Sequence, residues 1–157
     1  MKIETLVERM GQFWEASGRT PMRGRVFGYL LAAEPKRRDF DSIREALQAS
    51  KSAISLALKG LTDQGLVRSR RRPGKRKRYF EVDVQGWLDR SKREMRGAAT
   101  FNELLRECHD IRKKRGGDEA VAEEAPGPDL DVMINFHEGF LRQIDAFIAT
   151  WESSRAR

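Results

Sequence analysis

Ile3, Leu6, Val7, Met10, Phe13 and Trp14 recur at three- and four-residue steps, which puts them on one stripe of a helix that Gly18 ends. Pro21 suits the first turn of a second helix, because its fixed φ is already helical and its missing N–H would be unpaired there. That helix carries Val26, Phe27, Leu30 and Leu31 and stops before Pro35. Asp39 is placed to cap a short helix with Ile43, Ala46 and Leu47 inward, and Ser50 to cap another holding Ile54, Ala57, Leu58 and Leu61. The two flank a tight turn, and Gly65 stands where a left-handed residue would close the second.

Beyond Gly65 the period drops to two. Leu66, Arg68, Arg70 and Arg72 share one sheet face, and Val67, Ser69 and Arg71 the other. Arg72-Pro73-Gly74-Lys75 fits a type II turn, and Tyr79, Phe80 and Val82 return as the second strand of a hairpin. After Gly86 a long, proline-free, highly charged stretch reads as a helix with Trp87, Leu88, Met95, Phe101, Leu104, Leu105, Cys108 and Ile111. Residues 116–128 are small, acidic and proline-terminated, the composition of a flexible linker. In the last helix, about 129–153, Met133, His137, Phe140, Ile144, Phe147 and Trp151 alternate at four- and three-residue steps, a heptad-like seam that Phe136, Leu141 and Ile148 widen. The expected fold is mainly α with a small β-hairpin. Residues 1–85 form an N-terminal helix and a winged helix-turn-helix domain, and residues 86–157 form a helical dimerisation region.

With 157 residues the chain is one domain, or one module plus an appendage. Its surface must be heavily charged, since 35% of residues are charged and only 39% hydrophobic. So small a core supply favours an oligomer over a monomer. The longest apolar-plus-glycine stretch, Val26 to Ala33, is too short for a membrane span, and the first ten residues lack the apolar region of a secretory signal, so a cytoplasmic protein is expected. The single cysteine, Cys108, excludes an intramolecular disulfide and multi-cysteine zinc frameworks. The net charge of +7 is uneven: residues 1–85 hold 19 Lys/Arg against 10 Asp/Glu, and residues 86–157 hold 12 against 14. A polyanion-binding module joined to a near-neutral one follows.

Helix, turn, helix and basic hairpin is the order of a winged helix-turn-helix, whose second helix enters the DNA major groove. Opposite the apolar stripe of that helix stand Ser52, Ser55, Leu56 and Lys59, with Lys51 at its start; these are the candidate groove readers. Between Arg68 and Arg78, eight of eleven residues are basic: Arg68, Arg70, Arg71, Arg72, Lys75, Arg76, Lys77 and Arg78. If about six of them neutralise phosphates, the slope of log K against log salt is roughly −5.

Four stretches in this order carry a resemblance: residues 23–31 (Arg-Gly-Arg-Val-Phe-Gly-Tyr-Leu-Leu), 50–55 (Ser-Lys-Ser-Ala-Ile-Ser), 65–67 (Gly-Leu-Val) and 73–79 (Pro-Gly-Lys-Arg-Lys-Arg-Tyr). From about Glu4 to Val82 the chain resembles the GbsR group of MarR-like winged-helix transcription regulators. The resemblance implies a homodimer paired through its terminal helices, reading a pseudo-palindromic operator in double-stranded DNA, usually as a repressor. Leu56 departs from it, being apolar where a polar base reader is expected. The resemblance also implies control by a small-molecule effector in a cleft to which Phe13, Trp14, Tyr29 and Trp87 could contribute; ordinary core packing is the plainer role of these aromatics.

Cys108 could serve as a redox switch or as a packed thiol. His109 between Cys108 and Asp110 points away from both on a helix, so no metal site is expected. No Walker loop, dinucleotide fingerprint, zinc-hydrolase histidine pair or nucleophile–base spacing is present, so neither an enzyme nor a cofactor is expected. Two alternatives to a sequence-specific regulator remain: a winged-helix adaptor for acidic protein surfaces, and a nonspecific nucleic-acid binder.

Overall fold

A computed structural model describes residues 2–71, 77–115 and 128–155. The expected hairpin turn, Arg72 to Lys75, and all but the last residue of the expected 116–128 linker lie outside them. The elements run α1 (Ile3–Ala16), α2 (Pro21–Ala32), β1 (Arg38–Asp39), α3 (Phe40–Leu47), α4 (Lys51–Asp63), β2 (Val67–Arg71), β3 (Arg78–Val82), α5 (Val84–Arg115) and α6 (Leu130–Arg155). They form two compact units, Met1–Arg90 and Ser91–Arg157.

In the first unit the expected caps are all used. The Asp39 carboxylate accepts a 3.0 Å hydrogen bond from the Ser42 N–H, and the Ser50 hydroxyl accepts from the Ala53 N–H at 3.2 Å. Gly65 has φ +73°, and the Leu66 N–H donates back to the Leu61 carbonyl at 2.9 Å, which closes α4 with a left-handed cap. Gln48 takes the same backbone region, φ 47°, in the turn between α3 and α4.

Ile43, Ile54, Leu61, Val26 and Val67 are fully buried and come from α3, α4, α2 and β2, so one core fastens the helix-turn-helix to the hairpin. Each such side chain contributes roughly 1.5–3 kcal/mol by leaving water. α1 reaches this core through Val7 and Trp14, and it lies very close to α2 because glycines face it. A Cβ on Gly24 would stand 2.6 Å from the Met10 carbonyl oxygen and 2.8 Å from the Trp14 ring, and one on Gly28 would stand 2.9 Å from Met10 Cβ. Both glycines belong to the 23–31 stretch, so helix crossing accounts physically for two of its positions.

The sheet has three antiparallel strands in the order β1-β3-β2. The hairpin expected from the pattern is therefore joined by a third strand at Arg38–Asp39, which pairs with Phe80 and Tyr79. Two residues are too few to display an alternation, so the pattern of apolar positions carries no trace of it.

In the second unit, α6 and the part of α5 beyond Arg90 run antiparallel: Lys92 pairs with Glu152, Arg106 with Glu138, and His109 Nε2 lies 3.4 Å from Asp131 Oδ1. Leu105, Leu130, Ile144 and Ile148 are buried there.

Candidate nucleic-acid interface

The buried stripe of α4, Ile54, Ala57, Leu58 and Leu61, fixes which side of the helix is free. Lys51, Ser52, Ser55, Leu56 and Lys59 are all exposed on that side, as their wheel positions require. Leu56 is 64% exposed, unusual for a leucine at the centre of a packed helix. Ser52 lies 3.1 Å from Ser50 through their hydroxyls, and Lys59 forms an exposed 2.6 Å ion pair with Asp63 one turn on. Gly60 lets α4 sit against Arg23 of α2, whose guanidinium would be 2.5 Å from a Cβ at that position.

The hairpin is anchored by buried Val67 and Phe80, and its register sets Arg68 across from Glu81, Arg70 across from Tyr79 and Arg71 across from Arg78. Glu81 is only 8% exposed and accepts from Arg37 Nε at 2.7 Å and Arg68 Nε at 2.8 Å, with Arg70 Nε at 3.6 Å. Burial pushes its carboxyl upward, but the hydrogen bonds from Arg37 and Arg68 outweigh that and hold it below the usual carboxylate range. Lys77 reaches Asp39 at 3.6 Å. Asp39 is held low chiefly by its capping bond from Ser42, with Lys77 adding attraction. Arg71 and Arg78 are exposed, directly opposed, and make no ion pair with a described residue. Arg72, Lys75 and Arg76 lie outside the described residues.

The two halves of the candidate interface meet in a groove. Ser55, Lys59, Thr62 and Asp63 of α4 line one wall, Ser69, Arg78 and Phe80 of the hairpin another, and Phe40 of α3 closes it. Hydroxyls, a lysine and a guanidinium on one concave surface suit a ligand that presents phosphates beside hydrogen-bonding edges.

The other expected site residues are spread more widely. Trp14 is a core residue, 5.9 Å from Phe27 between ring centroids, while Phe13 and Trp87 are exposed. Tyr29 lines a half-open cavity with Glu4, Glu8, Arg25 and Gln48. In α6 the expected seam divides. Ile144 is buried and His137 and Trp151 half-buried, the former 5.0 Å from the Phe101 ring and the latter 5.2 Å from Lys92 Nζ. Met133, Phe140 and Phe147, seven residues apart, are exposed, with Phe136 beside them. Cys108 is exposed. Among the described residues, no three His, Cys, Asp or Glu side chains gather as a metal site, and no helix is long and apolar enough to cross a membrane.

Three residues outside the expected site shape it: Arg37, Asp39 and Glu81. Glu81 had a signal, since it is the one acid in residues 66–82. Arg37 had none, because it joins the hairpin only through the third strand.

No family model matches the chain. It is 28% identical over 102 residues, 65% of its length, to the HTH-type transcriptional regulator MmpR5 of Mycobacterium tuberculosis, and the match spans 62% of that protein. A crystal structure described as a transcriptional regulator superposes over 96% of this chain and 98% of its own, with a TM-score of 0.65 and 22% identity. The chain has a mostly helical winged-helix fold with a small three-stranded antiparallel sheet, the fold of that regulator.

Proposed function

We propose that this chain is a DNA-binding transcriptional regulator of the MarR-like winged-helix kind, of the GbsR type, acting as a homodimeric repressor on a pseudo-palindromic operator. The observation that carries the reading is the groove in which Ser55 and Lys59 of α4 share a surface with Arg78 of the hairpin. In a winged helix these two elements meet the major groove and the adjacent backbone. Lys51, Ser52, Ser55, Leu56 and Lys59 read base edges, and the wing arginines grip phosphates. The relative's description as a helix-turn-helix regulator supports the same class.

Dimerisation is supported by the apolar surface of the second unit. Phe101, Leu104 and Ile111 of α5 and Met133, Phe136, Phe140 and Phe147 of α6 are all exposed in the single chain. An uncovered face of that composition fits a second copy, which would also supply the second reading helix. Control by a small-molecule effector is the remaining part of the reading, and the cavity beside Tyr29 is its natural test site.

Retention of duplex DNA on a native gel tests the reading. The wild-type chain is expected to shift a random-sequence duplex at low salt, and the Arg71→Ala/Arg78→Ala variant to lose most of that shift. A folded wild-type chain that retains no duplex overturns the reading in favour of a protein-binding adaptor.

A further inference from the structure

We propose that Glu81 rations the positive charge of the wing: it holds Arg37, Arg68 and Arg70 at the base of the hairpin, so that Arg71 and Arg78 are the described hairpin arginines left to grip DNA phosphates. The inference rests on the DNA-binding reading above.

Glu81 lies on the central strand of the sheet, and three guanidiniums from two other segments converge on it through Nε. A carboxylate has about four lone-pair sites, enough to accept the hydrogen bonds from Arg37 and Arg68 and still attract Arg70 at 3.6 Å. Its burial makes the arrangement costly to undo, because a buried carboxylate without donors bears a heavy desolvation penalty. A DNA phosphate could draw Arg37 or Arg68 away only by leaving Glu81 short of a charge-assisted hydrogen bond. The exchange substitutes one anion for another, so the net gain is small. Arg71 and Arg78 give up no such bond to a described residue. They face each other across the ladder, where like charges repel, and a phosphate between them relieves that repulsion.

One carboxylate would suffice to pin one cross-strand arginine, and Arg68 is already directly opposite. Recruiting Arg37 and Arg70 as well does more than fasten the hairpin. It lowers the count of cations that release counterions, and so limits sequence-independent attraction relative to base reading.

The test is the salt dependence of binding to a random-sequence duplex, measured by fluorescence anisotropy from 0.05 to 0.3 M salt (roughly the range over which counterion release is resolved). Glu81→Gln is expected to bind more tightly and to steepen the log K–log salt slope by about 1 or more, at roughly 0.9 per phosphate gained. Glu15→Gln, an equal charge change on an exposed residue of α1, is expected to alter it by less than about half that amount. In the wild-type background, Arg68→Gln is expected to leave the slope nearly unchanged, whereas Arg71→Gln flattens it by about 0.9. This second pair decides the matter if Glu81→Gln does not fold. An unchanged slope in folded Glu81→Gln, or an Arg68→Gln effect equal to that of Arg71→Gln, overturns the role of Glu81 while leaving DNA binding intact. A wild-type chain that binds no duplex overturns both.

Discussion

Replacing Arg71 and Arg78 together by glutamine should weaken DNA binding and stabilise the free protein at once. The two residues are paired across the β2–β3 ladder, both exposed. Cβ atoms of such a pair are about 4.5–5.5 Å apart, so the guanidiniums stand on the order of 6–10 Å apart in a watery environment. Coulomb repulsion there is roughly 0.4–0.7 kcal/mol, within the usual ~0.2–1 kcal/mol range for cross-strand pairs. Its removal should raise Tm by about 2–4 °C for a unit of this size. Each cation that neutralises a phosphate adds about 0.9 to the salt slope, so losing two flattens it by about 1.8. Referred to 1 M salt, the affinity deficit is then about 60-fold at 0.1 M and about 9-fold at 0.3 M. Anisotropy titrations at the two salt concentrations, alongside thermal melts, read both quantities. A deficit that does not shrink with salt would mean that the pair does not neutralise phosphates, and a lower Tm in the variant that the pair stabilises the fold instead of straining it.

Leu56, 64% exposed on the reading face, is suited to a thymine methyl, so deoxyuridine for thymidine at one position per half-site should cost about 4-fold in affinity for the wild type and nothing for Leu56→Ala. Gly24→Ala should destabilise the first unit by about 1–3 kcal/mol in urea melts, because its Cβ would stand 2.6 Å from the Met10 carbonyl and α1 would have to move away. Asp39 and Glu81 both have lowered carboxyl pKa values, so their contribution to stability is complete above the ordinary carboxylate range of about 4 and is lost as pH falls through their lowered values. Urea midpoints should therefore be level from about pH 5 to 7 and fall below about pH 4, with a shallower fall in Asp39→Asn.

Much of the fold was legible because its signals were local. Asp39, Ser50 and Gly65 are capping and turn residues whose chemistry acts within a few positions, and the buried stripe of α4 follows from spacing alone. The exposure of Lys51, Ser52, Ser55, Leu56 and Lys59 is the complement of that stripe. What was not legible depends on contacts between distant segments. Strand β1 is too short to have a period, and the Arg37–Glu81 pair joins residues 44 positions apart. The basic run looked uniformly available in the sequence, yet Arg68, Arg70 and Lys77 lie against carboxylates on β1 and β3. The seam of α6 was legible as a seven-residue repeat, but a repeat does not say which of its sides an adjacent helix covers. Ile144 is buried against its surroundings while Phe140 and Phe147 are exposed.

Selection of bound duplexes from a random DNA pool, followed by sequencing, shows whether the chain reads base sequence as a two-fold pair. The expected result is enrichment of an inverted repeat whose half-sites are centred about 10–10.5 base pairs, or a multiple of that, apart, with enrichment lost in Ser52→Ala/Ser55→Ala. A pool that stays random after repeated rounds with a folded protein contradicts it.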